Sequence, residues 1–412
     1  MKYGLIGEHL THSFSKVIHE KIGDYVYEIK EIEKENVDSF MKKKDFLAIN
    51  VTIPYKETVI PYLDCIDDSA KKIGAVNTIV NKNGRLCGYN TDYYGMMELI
   101  NKAQIELRGK KVLILGTGGT SKTANAVACD MGADMIAFAS RHKKENAYSY
   151  DEIYANCSDV DVIINTSPVG MYPENEGKPI EISRLPKLEG VIDVIYNPIR
   201  TNLVMEAQKR GLKSQGGLYM LVSQAVCAYE HFMDTCADKT LCDTIYRDTL
   251  NEKNNIVLIG MPSSGKTTIG KILAQKTGKT FVDTDEEIVK KIGMDIKTYF
   301  SMYGEQEFRK VESEVVRELY KENSLIIATG GGVILNYDNI RRLKQNGVVC
   351  FIDRSLDKLI PTSDRPLSSD IDSLKQRYDE RYPVYVSSCD IRVNGNATPE
   401  EVAEIIYGEY LK

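Results

Sequence analysis

GMPSSGKT, residues 260–267, comes directly after the apolar run 256–259 and leads into a helical stretch. Strand, Gly-rich turn and helix in that order are the context in which GxxxxGK[ST] holds phosphates. Gly260 and Gly265 allow backbone N–H groups to turn inward around an anion, and a helix opening near Lys266 adds its positive N-terminal end. Lys266 is expected to reach the β- and γ-phosphates, and the Thr267 hydroxyl to ligate Mg²⁺. The last third of the chain is therefore read as an α/β domain that binds a nucleoside triphosphate. The alternative is a Gly-rich turn with an incidental lysine, and the strand and helix on either side speak against it.

A GTPase would show NKxD downstream, whereas the nearest match, NKNG at 81–84, lies upstream. Beyond the loop, Asp283-Thr284-Asp285 stands at the end of a strand over 280–282. Two carboxylates there can hold hydrated Mg²⁺ and accept a proton from an alcohol, although Asp285 alone could equally be a helix N-cap. Arg309 in FRKVE, the turn Gly330-Gly331-Gly332 after a strand at 325–329, Arg365 in DRPL and Arg381 in ERYPVY complete the set. Singly, such arginines are usually solvated. Three of them beside a tight glycine turn suggest bidentate capture of an anionic substrate.

In order and over nearly all of 254–412, GMPSSGKTT, DTD, FRKVE, GGG, DRPL and ERYPVY resemble shikimate kinase. The resemblance implies an ATP site built from Gly260, Ser263, Ser264, Gly265, Lys266, Thr267 and Thr268, with Mg²⁺ held by Thr267 and Asp283. It implies that Asp285 orients and deprotonates the 3-hydroxyl of shikimate. Arg309 and Arg381 would clamp the substrate carboxylate beside the Gly330–Gly332 backbone, and Arg365 would come from a lid. The lid, LIPTSDRPL, is short and lacks a second arginine upstream of Arg365.

The preceding 250 residues alternate short apolar runs with amphipathic stretches, the pattern of βα units around parallel sheets. Strands are expected at 3–6, 46–52 and 75–80, then at 111–115, 135–139, 160–164 and 191–195, with a long helix at about 219–233. Gly116-Thr-Gly118-Gly119 sits between a strand and a helix running to about Met131, as a dinucleotide-binding turn should, although Ser121 occupies the third glycine position. Such a turn alone fits a cofactor site or a plain structural turn. The next strand ends in Ser140-Arg141-His142-Lys143-Lys144, without the acid that would read an NAD ribose, which favours the 2′-phosphate of NADP.

Ahead of that turn, amides, hydroxyls, one Lys and one Asp gather on expected strand ends: Ser13 and Ser15, Thr52, Lys56, Asn77 and Asp92. Taken singly, an Asn there is more often a turn residue. Taken consecutively, HSFSK, NVTIPYK, GAVNT, GYNTD, GTGGTSKT, NTSPVGM, DVIYNP and GGLYMLVSQA resemble shikimate dehydrogenase over essentially all of 1–250. The resemblance implies reduction of 3-dehydroshikimate to shikimate with NADPH. Lys56 and Asp92 would form the catalytic pair, and Ser13, Ser15, Thr52, Asn77 and Gln224 would hold the substrate. Gly116, Gly118, Gly119, Ser140 and Arg141 would hold NADP(H), with Tyr196 and Gly217 near the nicotinamide.

The expected organisation is thus an α/β chain of three parts. A substrate-binding domain spans 1–103, and a Rossmann-like NADP-binding domain spans 104–250, its C-terminal helices returning to the first. A linker, NEKNN at 251–255, precedes a P-loop kinase domain with a central parallel sheet at 256–412. The implied function is bifunctional, because the first site would make the second site's substrate. The competing readings are an NAD-dependent quinate dehydrogenase fused to a different small-alcohol kinase, and a kinase-like module that only binds ligand.

Bulk composition agrees with a soluble enzyme. The chain has 412 residues and a net charge of −6, which argues against nucleic acid or an anionic membrane as partner. No apolar run approaches the ~20 residues of a membrane helix, and no targeting segment is recognisable, so a cytoplasmic location is expected. The five histidines include no HExxH. The nine cysteines show no CxxC spacing and read as small buried apolar residues in a reducing compartment.

Overall fold

Sixteen strands form three sheets in a computed structural model that describes residues 1–10, 14–141, 146–359 and 371–412, the side chains of 371–373 excepted. The chain divides into two compact units, Met1–Thr249 and Leu250–Lys412.

The first sheet contains β1 (Tyr3–Gly7), β2 (Tyr27–Glu31), β3 (Ala48–Val51), β4 (Cys65–Ile66), β5 (Thr78–Lys82) and β6 (Arg85–Tyr89), in the order β2-β1-β3-β5-β6-β4. It is mixed rather than parallel, which corrects the sequence reading: β5 runs antiparallel to both β3 and β6. The reason is local. Asn83 and Gly84 both take positive φ, at 54° and 89°, and close a two-residue hairpin between β5 and β6. NKNG, which fails as a base-reading motif, is that turn.

The second sheet is wholly parallel: β7 (Lys111–Leu115), β8 (Met135–Ala139), β9 (Val162–Asn165), β10 (Gly190–Asp193) and β11 (Lys213–Gln215), ordered β11-β10-β9-β7-β8. Its central strands are buried on both faces, as the near-continuous apolar runs required. The chain order reverses between β7 and β9, the position where open α/β sheets bind ligands.

Helices Thr91–Lys102 and Leu218–Met233 join the two halves of the first unit. Gly95 lets them approach closely, since a Cβ there would lie 2.7 Å from the Met220 carbonyl oxygen. Met96, Leu99, Ile100 and Met220 share a core with Val112 and Ile114 of β7. Other residues of the long helix pack elsewhere: Val222, Ala225 and Val226 meet Ile18 and Ile22, and Ala228 and Phe232 meet Leu5 and Tyr27.

The third sheet is parallel, with β12 (Asn255–Ile259), β13 (Thr280–Asp283), β14 (Leu325–Ala328), β15 (Gly347–Asp353) and β16 (Ile391–Asn394) in the order β13-β14-β12-β15-β16. The expected linker is corrected here. Its residues are the last turn of helix Leu241–Lys253 and the start of β12. The polar composition suggested a tether, but the carbonyls at that helix end are satisfied within the second unit. Lys279 Nζ donates to the carbonyls of Asn251, Glu252 and Asn254, and the Tyr410 hydroxyl donates to those of Asn251 and Asn254.

The cysteine reading is corrected in two respects, pairing and burial. Parallel register sets Cys65 of β4 opposite Cys87 of β6, and their sulfurs are joined in a disulfide. Of the rest, Cys157 and Cys350 are buried, but Cys129 and Cys236 are exposed. Among the described residues no helix is long and apolar enough to cross a membrane.

Candidate active sites

In the first unit the polar strand ends converge on one cleft of about 450 Å³. Among the described residues its lining includes Ser15, Asn50, Thr52, Lys56, Asn77, Asp92, Tyr196, Gly217 and Gln224. Lys56 follows β3 through the Ile53–Pro54 turn, and Asp92 sits in the first turn of helix Thr91–Lys102. Asn90 caps that helix by accepting from the Tyr93 N–H. Lys56 Nζ donates to Asp92 Oδ2 at 2.6 Å, both side chains being about one-quarter exposed or less. A cleft-facing ammonium held by a carboxylate can donate a proton to a ketone oxygen as negative charge develops there. Of the expected substrate residues, Ser13 lies outside the described residues, as do His142, Lys143 and Lys144 of the basic corner.

The dinucleotide turn occupies the reversal point of the second sheet, directly after β7. Cβ positions at Gly118 and Gly119 would meet nothing within 4 Å, so the backbone face at the start of helix Gly119–Asp130 is open to a diphosphate. Ser121, standing for the third glycine, folds onto the turn with Oγ donating to the Gly118 carbonyl at 2.6 Å. Ser140 is buried at the end of β8 and Arg141 is exposed beside it, where an NADP 2′-phosphate would be read. This donor set fits the cofactor that the sequence implied.

Tyr196 and Gly217, the residues expected near the nicotinamide, line the same cleft. Burial raises the Tyr196 pKa above its ordinary value. A Cβ at Gly217 would fall 2.0 Å from the Val194 carbonyl oxygen, which only glycine avoids. Asp193, wholly buried, ties the turn bearing Tyr196 to its surroundings. It accepts from Asn165 Nδ2, the Ile195 N–H and the Thr201 hydroxyl. Burial pushes its pKa up to about 6 against the pull of those three donors.

In the second unit, Gly265 takes φ 94° and caps helix Lys266–Thr277. Lys266 is buried, with Nζ 2.9 Å from the carbonyl oxygens of Gly260 and Met261. The Thr267 hydroxyl donates to Asp283 Oδ2 at 2.8 Å, so the two expected metal ligands are side by side. Two hard oxygen donors next to a phosphate loop suit Mg²⁺, which takes few protein ligands and keeps waters and phosphate oxygens. Asp283, not Asp285, is the N-cap of helix Thr284–Ile292, because its Oδ1 accepts from the Asp285 N–H. Asp285 therefore keeps its carboxylate next to the glycine turn, where a Cβ at Gly330 would lie 2.8 Å from Asp285 Oδ1.

The same turn gathers the arginines. A Cβ at Gly332 would collide with the Arg309 guanidinium at 2.2 Å. Arg381 Nη1 and the Tyr385 hydroxyl both donate to the Gly331 carbonyl, at 3.0 and 2.6 Å. Glu312 was missed by the sequence reading although it ends the FRKVE signature. It is 1% exposed, and both its oxygens accept from Arg309 Nη1 at 3.0 Å. Burial raises the Glu312 pKa, with Arg309 opposing. The Arg309 pKa stays above its ordinary value because Glu312 and Glu305 outweigh the burial that disfavours its charge. Asn50, at the head of NVTIPYK, was missed in the same way. Arg365 lies outside the described residues.

An open α/β dinucleotide site with a Lys–Asp pair in its cleft defines an oxidoreductase. A P-loop beside an Asp, two arginines and a glycine turn defines a small-molecule kinase. Comparison with known proteins gives the particular families. A model described as shikimate dehydrogenase substrate binding domain matches residues 5–79, and one described as shikimate kinase matches residues 262–409. A shikimate dehydrogenase (NADP(+)) of Clostridium beijerinckii is 39% identical over 265 residues, covering 61% of this chain and 98% of the relative. The crystal structure of shikimate dehydrogenase 1 from Peptoclostridium difficile is 38% identical with a TM-score of 0.55, covering 60% of this chain and 98% of that one. A chorismate mutase/shikimate 5-dehydrogenase fusion protein from Clostridium acetobutylicum is 36% identical with a TM-score of 0.57, covering 60% and 96%. The chain belongs to the shikimate dehydrogenase family over its first 60% and carries a shikimate kinase domain after it.

Proposed function

We propose that this chain catalyses two consecutive reactions, NADPH-dependent reduction of 3-dehydroshikimate to shikimate and ATP-dependent phosphorylation of shikimate to shikimate 3-phosphate. One observation carries the reading: a Lys56–Asp92 pair facing a dinucleotide site and an Asp283–Asp285 pair facing a phosphate loop occur in the same polypeptide.

In the first site Lys56 donates a proton to the ketone oxygen, and Asp92 orients the ammonium. Ser13, Ser15, Thr52, Asn77 and Gln224 hold the carboxylate and hydroxyls. NADPH supplies the hydride when bound. The protein's part is alignment by Tyr196 and Gly217, with Gly116, Gly118, Gly119, Ser140 and Arg141 holding the rest of the cofactor. In the second site Asp285 takes the proton of the 3-hydroxyl, and Arg309 and Arg381 hold the substrate carboxylate. Lys266 and the backbone of the loop stabilise charge on the transferred phosphoryl group, with Arg365 added from the lid. Thr267 and Asp283 would hold Mg²⁺, which neutralises phosphate charge. A cytoplasmic location belongs to the same reading, since both cofactors are supplied there, and cell fractionation tests it.

A coupled assay with 3-dehydroshikimate, NADPH and MgATP decides the matter. NADPH loss followed by ADP release strictly dependent on shikimate is expected. NADPH oxidation without ADP release would leave the C-terminal domain as a binding module. Preference for NAD and quinate would give the other reading.

A further inference from the structure

Beneath the dehydrogenase cleft lies a continuous buried chain of polar side chains, of which the proposed chemistry uses only Asn77 and Gln224. It begins at Tyr27 on β2, fully buried, whose hydroxyl donates to Asn50 Oδ1 at 2.6 Å. Asn50 Nδ2 donates to Thr78 Oγ1 at 3.0 Å, and Thr78 Oγ1 donates to Asn77 Oδ1 at 3.1 Å. Asn77 Oδ1 also accepts the Thr91 backbone N–H at 2.7 Å, while Asn77 Nδ2 donates to Thr91 Oγ1 at 3.0 Å. Thr91 Oγ1 lies 3.4 Å from Gln224 Oε1, and Gln224 Nε2 donates to the Leu221 carbonyl.

Each link has a direction, and the directions are mutually dependent. The Thr91 N–H cannot be reversed, so Asn77 must turn its oxygen to it. A flipped amide would set NH₂ against N–H. Thr78 then has Asn77 Oδ1 at 3.1 Å and Thr91 Oγ1 at 3.2 Å as acceptors for its single proton and can receive the Asn50 amide. Asn50 in turn must offer its oxygen to Tyr27. With one N–H of Asn77 and one of Gln224 spent on internal partners, each amide retains a second N–H. Both residues line the cleft, which therefore meets its ligand with amide donors. Oxygen-rich ligands are recognised by donors fixed in advance, and a rotatable amide would forfeit much of that selectivity.

We propose that Tyr27 and Thr78, neither of which lines the cleft, are positioning residues. Through Asn50 they supply the second donor, the Thr78 hydroxyl, that reinforces the orientation set by the Thr91 N–H and keeps the Asn77 amide N–H toward the substrate. The inference rests on the dehydrogenase reading. Removing the Tyr27 hydroxyl frees Asn50 to flip and present its oxygen to Thr78, which draws the Thr78 proton away from Asn77 Oδ1 and leaves the Asn77 amide held by Thr91 alone.

The test is steady-state kinetics of the full chain carrying Tyr27→Phe, Thr78→Val or Thr78→Ser. Tyr27→Phe and Thr78→Val are expected to raise KM for shikimate about tenfold or more, with KM for NADP⁺ and kcat changed less than about threefold. Thr78→Ser, which keeps the hydroxyl, should restore the wild-type KM. Unchanged KM for shikimate in Tyr27→Phe, or equal rises in both KM values, overturns the proposal. Should Thr78→Val not fold, Tyr27→Phe decides alone, because a phenyl ring keeps the stacking on His19 at 4.0 Å. Wild-type protein that fails to oxidise shikimate would sink the dehydrogenase reading itself. Active wild type with indifferent variants sinks only the positioning role.

Discussion

Lys56 and Asp92 are 36 residues apart in sequence and 2.6 Å apart in space. Their pairing was legible only because each stood in a recognisable signature. Lys56→Ala is expected to lower kcat for NADPH-dependent reduction by about 100-fold or more with KM little changed, since general acid assistance is typically worth ~10²–10⁴. Stopped-flow or steady-state NADPH absorbance checks this, and near-normal turnover would remove Lys56 from its role. Glu312 and Asn50 show what the residue types alone left unread. Their importance lies in what they touch once buried, and neither spacing nor composition announces a contact. His19 is a third such residue. It is fully buried between Tyr27 and Phe232, and burial lowers its pKa to about 3, with Asn50 partly opposing. A histidine kept neutral in the fold but free to protonate when unfolded contributes stability above its ordinary pKa of 6.5. That stability is lost as pH falls from 6.5 toward 3, at roughly 1.4 kcal/mol per pH unit. Urea unfolding at pH 7 and pH 5 should therefore show a loss about 2 kcal/mol larger in wild type than in His19→Gln. Equal losses would refute the assignment.

At the level of elements, long buried strands were easy to read and short ones were not. β7 and β8 match the expected 111–115 and 135–139, because largely apolar runs bounded by turn signals carry their own evidence. β4 has two residues and β11 three, and each exists only because a neighbour supplies its register. The Cys65–Cys87 pairing is of this kind, since nothing in a 22-residue spacing says that two strands lie side by side. The P-loop and GGG turns were legible because positive φ at Gly260 and Gly265 and close approach of neighbouring groups at Gly330, Gly331 and Gly332 demand glycine, whereas in GxGG positive φ falls at Gly116 alone. Gly217 extends that argument to a helix start. Gly217→Ala would drive a methyl into the Val194 carbonyl and displace the first turn of helix Leu218–Met233 together with the strand end before Tyr196. A loss of about 2–4 kcal/mol in stability, with KM for NADPH raised, is expected from forced backbone shifts of this kind. Thermal unfolding measures the first and steady-state NADPH oxidation the second.

For the molecule as a whole, the α/β class followed from the signatures, while the antiparallel hairpin and the helical residues 251–253 did not. The two chemistries use different compact units, so they should be separable by mutation. Asp285→Asn is expected to reduce shikimate-dependent ADP release by about 100-fold or more while leaving the rate of NADPH oxidation within about twofold. A parallel fall in both rates would show that the sites are not independent.

The packing of helix Leu218–Met233 against Leu5, Ile18, Ile22 and Tyr27 also sets a timetable for biosynthesis. The first sheet is complete in sequence by Tyr89, yet part of its apolar cover is not made until Met233. At ~5–20 residues per second the ribosome takes roughly 7–30 s to cross that interval. During it the expected first domain, residues 1–103, lacks the long helix that packs on Tyr27 and Ile18. A fragment ending at 103 is accordingly expected to stay aggregation-prone, whereas one ending at Thr249 should unfold cooperatively in circular dichroism. The dinucleotide half, though later in the chain, can assemble its sheet while the earlier half is still waiting, and the nascent protein depends on its own downstream sequence for shelter.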